Sequence, residues 1–252
     1  MKNSIYLKLI RLKYKVVKFF SSKNLDFLSF ITPFDKLCKF LCDDLEIDEC
    51  TIYLDENGYI CHQINAKNWD IAHIISNVSD GNFLDMGSSD SYILENVVKK
   101  GIKGEKYGID LRKPDNPIEF VNYMVGDLMN TNLESNFFEN ITCLSVIEHE
   151  VDFDKFGSEV SRLLMNKGRL YITFDYWEPK VISQIKLYGL KWTPLDKNDV
   201  NSLVNTLKSY NLNLVQNIDW KTRKAVINPT NHSPDKTKSY TFGMLVFQKN
   251  SL

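Results

Sequence analysis

The chain has 252 residues, 43% of them hydrophobic and 25% charged, with 31 Lys and Arg against 32 Asp and Glu. That composition supplies a packed core and excludes the disordered and fibrous classes, while a net charge of −1 gives no global pull toward nucleic acid. No apolar run reaches the roughly 18 residues of a bilayer crossing and the start lacks a signal-peptide block, so a cytoplasmic location is expected.

Lys2, Lys8, Arg11, Lys13, Lys15, Lys18 and Lys23 all precede the first acid, Asp26. Ile5, Leu9, Leu12, Val16, Phe19 and Phe20 recur between them at spacings of three and four, which predicts an amphipathic helix with a cationic face. Such a helix packs on its own domain with a solvated basic face, or else suits an anionic membrane surface, a partner, or a lid over a site. Phe34, Leu37, Phe40, Leu41 and Leu45 predict a second helix after the Thr32-Pro33 start signal. Thr51 to Leu54 and Tyr59 to Gln63 around Asn57-Gly58 predict a β-hairpin. Residues 1–65 thus read as an accessory segment of helix and hairpin.

From about residue 68 short apolar runs alternate with helical periodicity. Strands are expected at Phe83–Met86, Lys106–Leu111, Phe120–Val125, Asn140–Ser145 and Arg169–Phe174. Helices are expected through Tyr92–Val98 and Asp154–Leu164. Val200–Tyr210 reads as a helix, Leu212–Trp220 as extended, and Tyr240–Gln248 as a last strand. This alternation predicts an α/β fold, a mostly parallel sheet covered on both faces.

In such a sheet ligands bind beyond the carboxyl ends of the strands. The first strand-to-helix turn is Asp85-Met86-Gly87-Ser88-Ser89-Asp90-Ser91, where Gly87 permits a sharp turn and small serines leave room against backbone N–H groups. Asp110 ends the next strand 23 residues after Gly87, the spacing at which an acid meets the hydroxyls of a ribose. A dinucleotide requires G-x-G-x-x-G, and Ser89 and Tyr92 stand where its second and third glycines belong. The turn therefore fits an adenosine ligand without a pyrophosphate.

At these residues the chain resembles the class I S-adenosylmethionine-dependent methyltransferases. Phe83-Leu84-Asp85-Met86-Gly87 is similar to their first motif, Tyr107-Gly108-Ile109-Asp110 to the ribose motif, and Val125-Gly126-Asp127-Leu128 to the adenine-side motif. Cys143-Leu144-Ser145-Val146-Ile147-Glu148-His149 resembles the S-V-x-E-H segment. Ser161 to Leu170 resembles the stretch before the fifth strand, with Asn166-Lys167-Gly168 supplying a glycine helix stop. The resemblance implies a Rossmann-like sheet of seven strands, the last antiparallel, over residues 66–252, and S-adenosylmethionine as cofactor.

It further implies that Gly87 and Ser88 line the methionine end, Asp85 helps orient the ammonium group, Asp110 binds the ribose, and Asp127 with the Leu128 backbone holds the adenine, with Ser89, Leu111 and Ser145 also among the cofactor-binding residues. Ser145 to His149 would lie over the sulfonium. His149 is the expected general base, since an imidazole titrating near 6.5 suits proton transfer near neutrality. Asp152, Asp175 and Tyr176, also past strand ends, are candidates for the acceptor pocket. His62, His73 and His232 have no motif support.

The D-P-P-Y type of base-methylating segment is absent after the fourth strand, so no nucleic-acid acceptor is expected. Ser145 supplies no carboxylate there, and the five cysteines lack C-x-x-C spacing, so no metal is expected. The S-V-x-E-H pattern resembles methyltransferases of surface-polysaccharide gene sets, which implies O-methylation of a sugar or other small hydroxylated acceptor. Another small molecule or a lipid remains an alternative, and so, with Ser89 and Ser91 replacing glycines, does a module that keeps the fold without catalysis.

Overall fold

The computed structural model of the protein describes residues 2–21 and 34–250. Lys23, Asp26 and the Thr32-Pro33 signal lie outside the described residues. The elements run in chain order: α1 (Lys2–Ser21), β1 (Lys39–Phe40), α2 (Asp44–Glu56), α3 (Lys67–Asn77), β2 (Phe83–Met86), α4 (Ile93–Lys100), β3 (Lys106–Asp110), β4 (Val121–Val125), β5 (Phe138–Leu144), α5 (Phe153–Leu163), β6 (Leu164–Tyr176), β7 (Lys186–Leu187), β8 (Leu190–Lys191), α6 (Lys197–Ser209), β9 (Leu212–Leu214) and β10 (Thr241–Lys249). A short 3-10 turn, Ser88–Asp90, joins β2 to α4.

The sheet order is β1-β10-β6-β5-β2-β3-β4, with β9 also paired to β10. β4, β3, β2, β5 and β6 run parallel, and β10 enters antiparallel to β6. Consecutive β10 residues face opposite layers. Met244 and Val246 pack under α2, α3 and α4, and Leu245 and Phe247 under α5 and α6. The expected Rossmann-like sheet is therefore present, and it places the ends of β2, β3, β5 and β6 side by side.

The N-terminal region departs from expectation in two places. Thr51–Leu54 lies inside α2, so there is no hairpin at 51–63. Asp43 caps α2 by accepting the Glu46 N–H, and buried Ile47, Cys50 and Leu54 recur at helical spacing, which overrides the strand preference of Thr51, Ile52 and Tyr53. Asn57-Gly58 ends this helix: Gly58 has φ +74°, and the Tyr59 N–H donates to the Leu54 carbonyl at 2.8 Å. The helix expected over 34–45 is instead a loop and strand, because Phe40 is buried against Phe174, Tyr176 and Trp220 at the sheet edge. Phe40 pairs with Gly243, where a Cβ would come within 2.9 Å of the Phe40 ring. Glycine at that position lets the strands close.

A smaller difference concerns Gly168. α5 ends at Leu163, so Gly168 is no helix stop; it lies within β6, where a Cβ would sit 2.9 Å from the Met165 carbonyl.

Candidate active site

The turn after β2 is set by one residue that must be glycine. Gly87 has φ +85°, and a Cβ on it would stand 2.3 Å from Cγ2 of Val146. The turn after β5 is thus pressed directly onto the turn after β2. Gly108 on β3 serves similarly, since its Cβ would lie 2.6 Å from Ser88 Oγ. Ser88 Oγ is buried and has no partner among the described residues. An orphaned hydroxyl of this kind calls for a ligand group or ordered solvent.

Asp110, half-buried at the end of β3, accepts the Ser89 N–H at 3.1 Å and the Arg112 N–H at 3.2 Å. Leu111 beside it and Val125 at the end of β4 are both exposed, an apolar shelf next to a carboxylate. These residues fit an adenosine: Asp110 would take the ribose hydroxyls while Leu111 and Val125 flank the base. Ser89 turns its hydroxyl to the Arg112 carbonyl. Asp127 is exposed, and its carboxylate caps its own turn by accepting the Met129 N–H at 2.8 Å. Leu128 is half-buried against the core.

Asp85 departs from its expected role. It is fully buried, and its two oxygens are engaged by the hydroxyls of Ser91 and Thr142. Burial raises its carboxyl to about 6, against the lowering effect of those two hydrogen bonds. Asp85 holds the turn to the sheet, and both oxygens that would meet an ammonium group are already taken.

The β5 turn presents the other half of the cleft. Ser145 stands at φ +51°, and its Oγ accepts a hydrogen bond from the Lys67 ammonium. Lys67 opens α3, ion-pairs with buried Asp70 at 3.6 Å, and lies 4.3 Å above the Phe242 ring. Nothing in the motifs pointed to Lys67, because it lies 78 positions from Ser145 and meets it only through the fold. His149 ends the turn, with Nδ1 buried and unpartnered. Burial, and then the neighbouring Lys67 charge, hold its imidazole down to about 4, so the ring is neutral across the physiological range. The expectation of titration near neutrality is corrected accordingly.

Glu148 and Asp175 are both buried, and burial raises both carboxyls, that of Asp175 to about 6. The Asp175 N–H donates to Glu148 Oε1 at 3.3 Å, and Trp192 Nε1 donates to Asp175 Oδ2 at 2.7 Å. Glu148 Oε2 has no partner among the described residues. Asp152 caps α5 through the Asp154 and Lys155 N–H groups. Tyr176 is buried against Phe40, away from an acceptor role.

The roof of the cleft comes from the β7–β8 hairpin, whose tight turn is Tyr188-Gly189, both with positive φ. Lys191 N–H anchors it to Glu150 at 2.9 Å. Tyr188 at its tip lies 6.2 Å from the His149 ring and 5.4 Å from the Arg112 guanidinium, so it bridges the β3 end and the β5 turn. α1 is no part of that roof among the described residues: its Ile10 and Tyr14 pack on Ile52 and Tyr53 of α2. His62 is likewise structural, accepting the Ile64 N–H and packing with its ring tilted against Tyr92.

Comparisons with known proteins agree with this fold. Residues 84–172, which run from β2 into β6, match a family described as a methyltransferase domain. No curated protein matches the sequence significantly. Among solved structures, the 1,6-didemethyltoxoflavin-N1-methyltransferase of Burkholderia thailandensis superposes with a TM-score of 0.57 at 13% identity, covering 82% of this chain and 88% of its own. The YcgJ protein of Bacillus subtilis gives 0.54 at 13% identity over 73% and 99% of the two chains. Phosphoethanolamine N-methyltransferase 2 of Haemonchus contortus, in complex with S-adenosylmethionine, gives 0.52 at 15% identity over 79% and 59%. Residues 84–172 thus match a methyltransferase domain, and the chain has the class I Rossmann-like fold that these methyltransferases of known structure share.

Proposed function

We propose that this enzyme methylates a hydroxyl of a small acceptor, a sugar unit in surface-glycan assembly. The observation that carries the hydroxyl reading is His149, a neutral imidazole with an unpartnered Nδ1 on the turn that Val146 presses against Gly87. When bound, S-adenosylmethionine supplies a methyl group already activated on a sulfonium. A hydroxyl acceptor must lose its proton as its oxygen bonds to carbon, and His149 accepts that proton. Tyr188 and Arg112 shape the entrance above it, and burial, aided by the Lys67 charge, keeps the imidazole unprotonated. The glycan assignment rests on the likeness of Ser145-Val146-Ile147-Glu148-His149 to the polysaccharide-modifying group.

A second reading, an amine acceptor, is favoured by three buried carboxyls, Glu148 after β5, Asp175 on β6 and Asp70 on the adjoining α3. Two of the structural relatives are named as N-methyltransferases. The readings separate in one experiment. The enzyme is given S-adenosylmethionine with a panel of nucleotide sugars and alkyl glycosides, or with small amines, and products are scored by mass for one added methylene. Under the proposal a glycoside is methylated, and His149→Ala slows that step by about 10² to 10⁴ with cofactor affinity unchanged. Turnover of amines alone, with His149→Ala near normal, overturns it.

A further inference from the structure

α1 has two apolar faces. One carries Ile10 and Tyr14, which are buried against Ile52 and Tyr53 of α2, with Leu7 beside them. Tyr6 secures this side by donating to Glu49. The other face carries Ile5, Leu9, Leu12 and Val16, spaced by four, three and four residues, so they lie within one narrow arc opposite the packed side. These four are 61%, 58%, 57% and 43% exposed. A solvated helix face has no use for four aliphatic side chains in line.

The charges around that stripe are of one sign. Lys8, Arg11 and Lys15 are exposed along its flank, and the segment from residue 2 to 21 contains no acid. Lys15 also pairs with Glu56 at 3.9 Å, while Lys8 and Arg11 stand exposed beside the stripe. We propose that this face of α1 docks on an anionic lipid surface, its aliphatic stripe at the headgroup boundary and its cations among the lipid phosphates and carboxylates.

Charge complementarity selects this occupant. A second copy meeting the same face would bring cations against cations with no acid to pair them. A nucleic acid gains nothing from a central row of Ile, Leu, Leu and Val. The stripe spans about 17 Å along the convex surface of one helix, a shape that lies at an interface and offers no groove to a protein ligand. Because α1 is tied to α2, and α2 to α3, such docking would hold the catalytic body at the membrane. The inference does not depend on which acceptor is methylated.

The test is co-sedimentation of the full chain with vesicles of phosphatidylcholine alone or with added phosphatidylserine. Binding is expected to the anionic vesicles only and to fade as salt rises. Lys8→Gln/Arg11→Gln should weaken binding about 30-fold at low salt, each charge being worth about 1 kcal/mol. Leu9→Ser/Leu12→Ser should weaken it by more than about 10-fold at every salt concentration. All four side chains are exposed, so thermal unfolding should not change. Absence of binding to anionic vesicles, or equal binding by both variants and the parent, overturns the proposal. So does self-association without vesicle binding that the leucine variant abolishes.

Discussion

Replacing Gly87 with alanine tests whether the contact between the two turns is as close as the structure makes it. The residue sits at φ +85° and ψ 46°, where an L side chain costs about 1–2 kcal/mol. The added Cβ would also meet Val146 Cγ2 at 2.3 Å, more than 1 Å inside ordinary contact, and forcing a packed methyl aside costs about 1–3 kcal/mol. Together these predict a loss of about 2–5 kcal/mol, a fall of roughly 5–15 °C in melting temperature for a chain of this size. The two causes separate in a double-mutant cycle. In a Val146→Ala background the clash is gone, Val146 Cβ being an ordinary 3.5 Å away, so Gly87→Ala should then cost only the backbone part. Thermal and urea unfolding of the four proteins measures this. A Gly87→Ala protein melting with the parent, or a cost unchanged by Val146→Ala, would refute the argument that Val146 seals the turn.

Asp110→Ala should weaken S-adenosylmethionine binding about 10- to 150-fold, the value of a charge-assisted hydrogen bond, by calorimetric titration; unchanged affinity in a folded protein removes Asp110 from the site. The rate of methyl transfer to a hydroxyl should stay level as pH falls below neutrality and drop only near pH 4, where His149 protonates; an acid limb near 6.5 contradicts the buried, Lys67-facing imidazole. The same depression makes His149 a source of acid lability. Its folded value lies below the ordinary 6.5, so the unfolded chain takes up the proton first and stability is lost as pH falls from about 6.5 toward 4. Lys67→Met should raise the acid limb, since a neighbouring cation is gone, and should destabilise the fold by up to about 3–5 kcal/mol because fully buried Asp70 loses its ion pair.

The sheet was legible because its strands are short apolar runs whose ends carry chemistry-bearing residues at family spacing. Gly87, Ser88, Ser89, Asp110 and Leu111 fall together at the ends of β2 and β3 as the motifs imply. Asp85 could not be read correctly, because its two hydroxyl partners, Ser91 and Thr142, decide its role and one of them lies 57 positions away. Lys67 was invisible for the same reason. The hairpin over the cleft was only half legible: Gly189 supplies a turn glycine, but Tyr188 stands at positive φ where the recognisable dipeptides carry Asn, Asp or Gly. At 51–63 the competing signal was real, but the Asp43 cap and the Ile47, Cys50, Leu54 stripe outweighed an Asn-Gly that here ends a helix.

The pairing of β1 with β10 bears on how the chain avoids sticking to itself. β10 is the outer long strand of the sheet, and its free side is covered in two pieces, Leu212–Leu214 against Phe247–Lys249 and Lys39–Phe40 against Gly243–Met244. Leu41 extends the second cover, donating its N–H to the Phe242 carbonyl at 2.8 Å and accepting from Thr241 Oγ1 at 2.7 Å. A chain begun at residue 66 would leave the backbone of Thr241–Met244 open beside the apolar Phe242 and Met244. Such an edge is a template for a strand from another molecule. The short stretch around residue 40 therefore acts as a chaperone built into the polypeptide, keeping that edge from recruiting its neighbours.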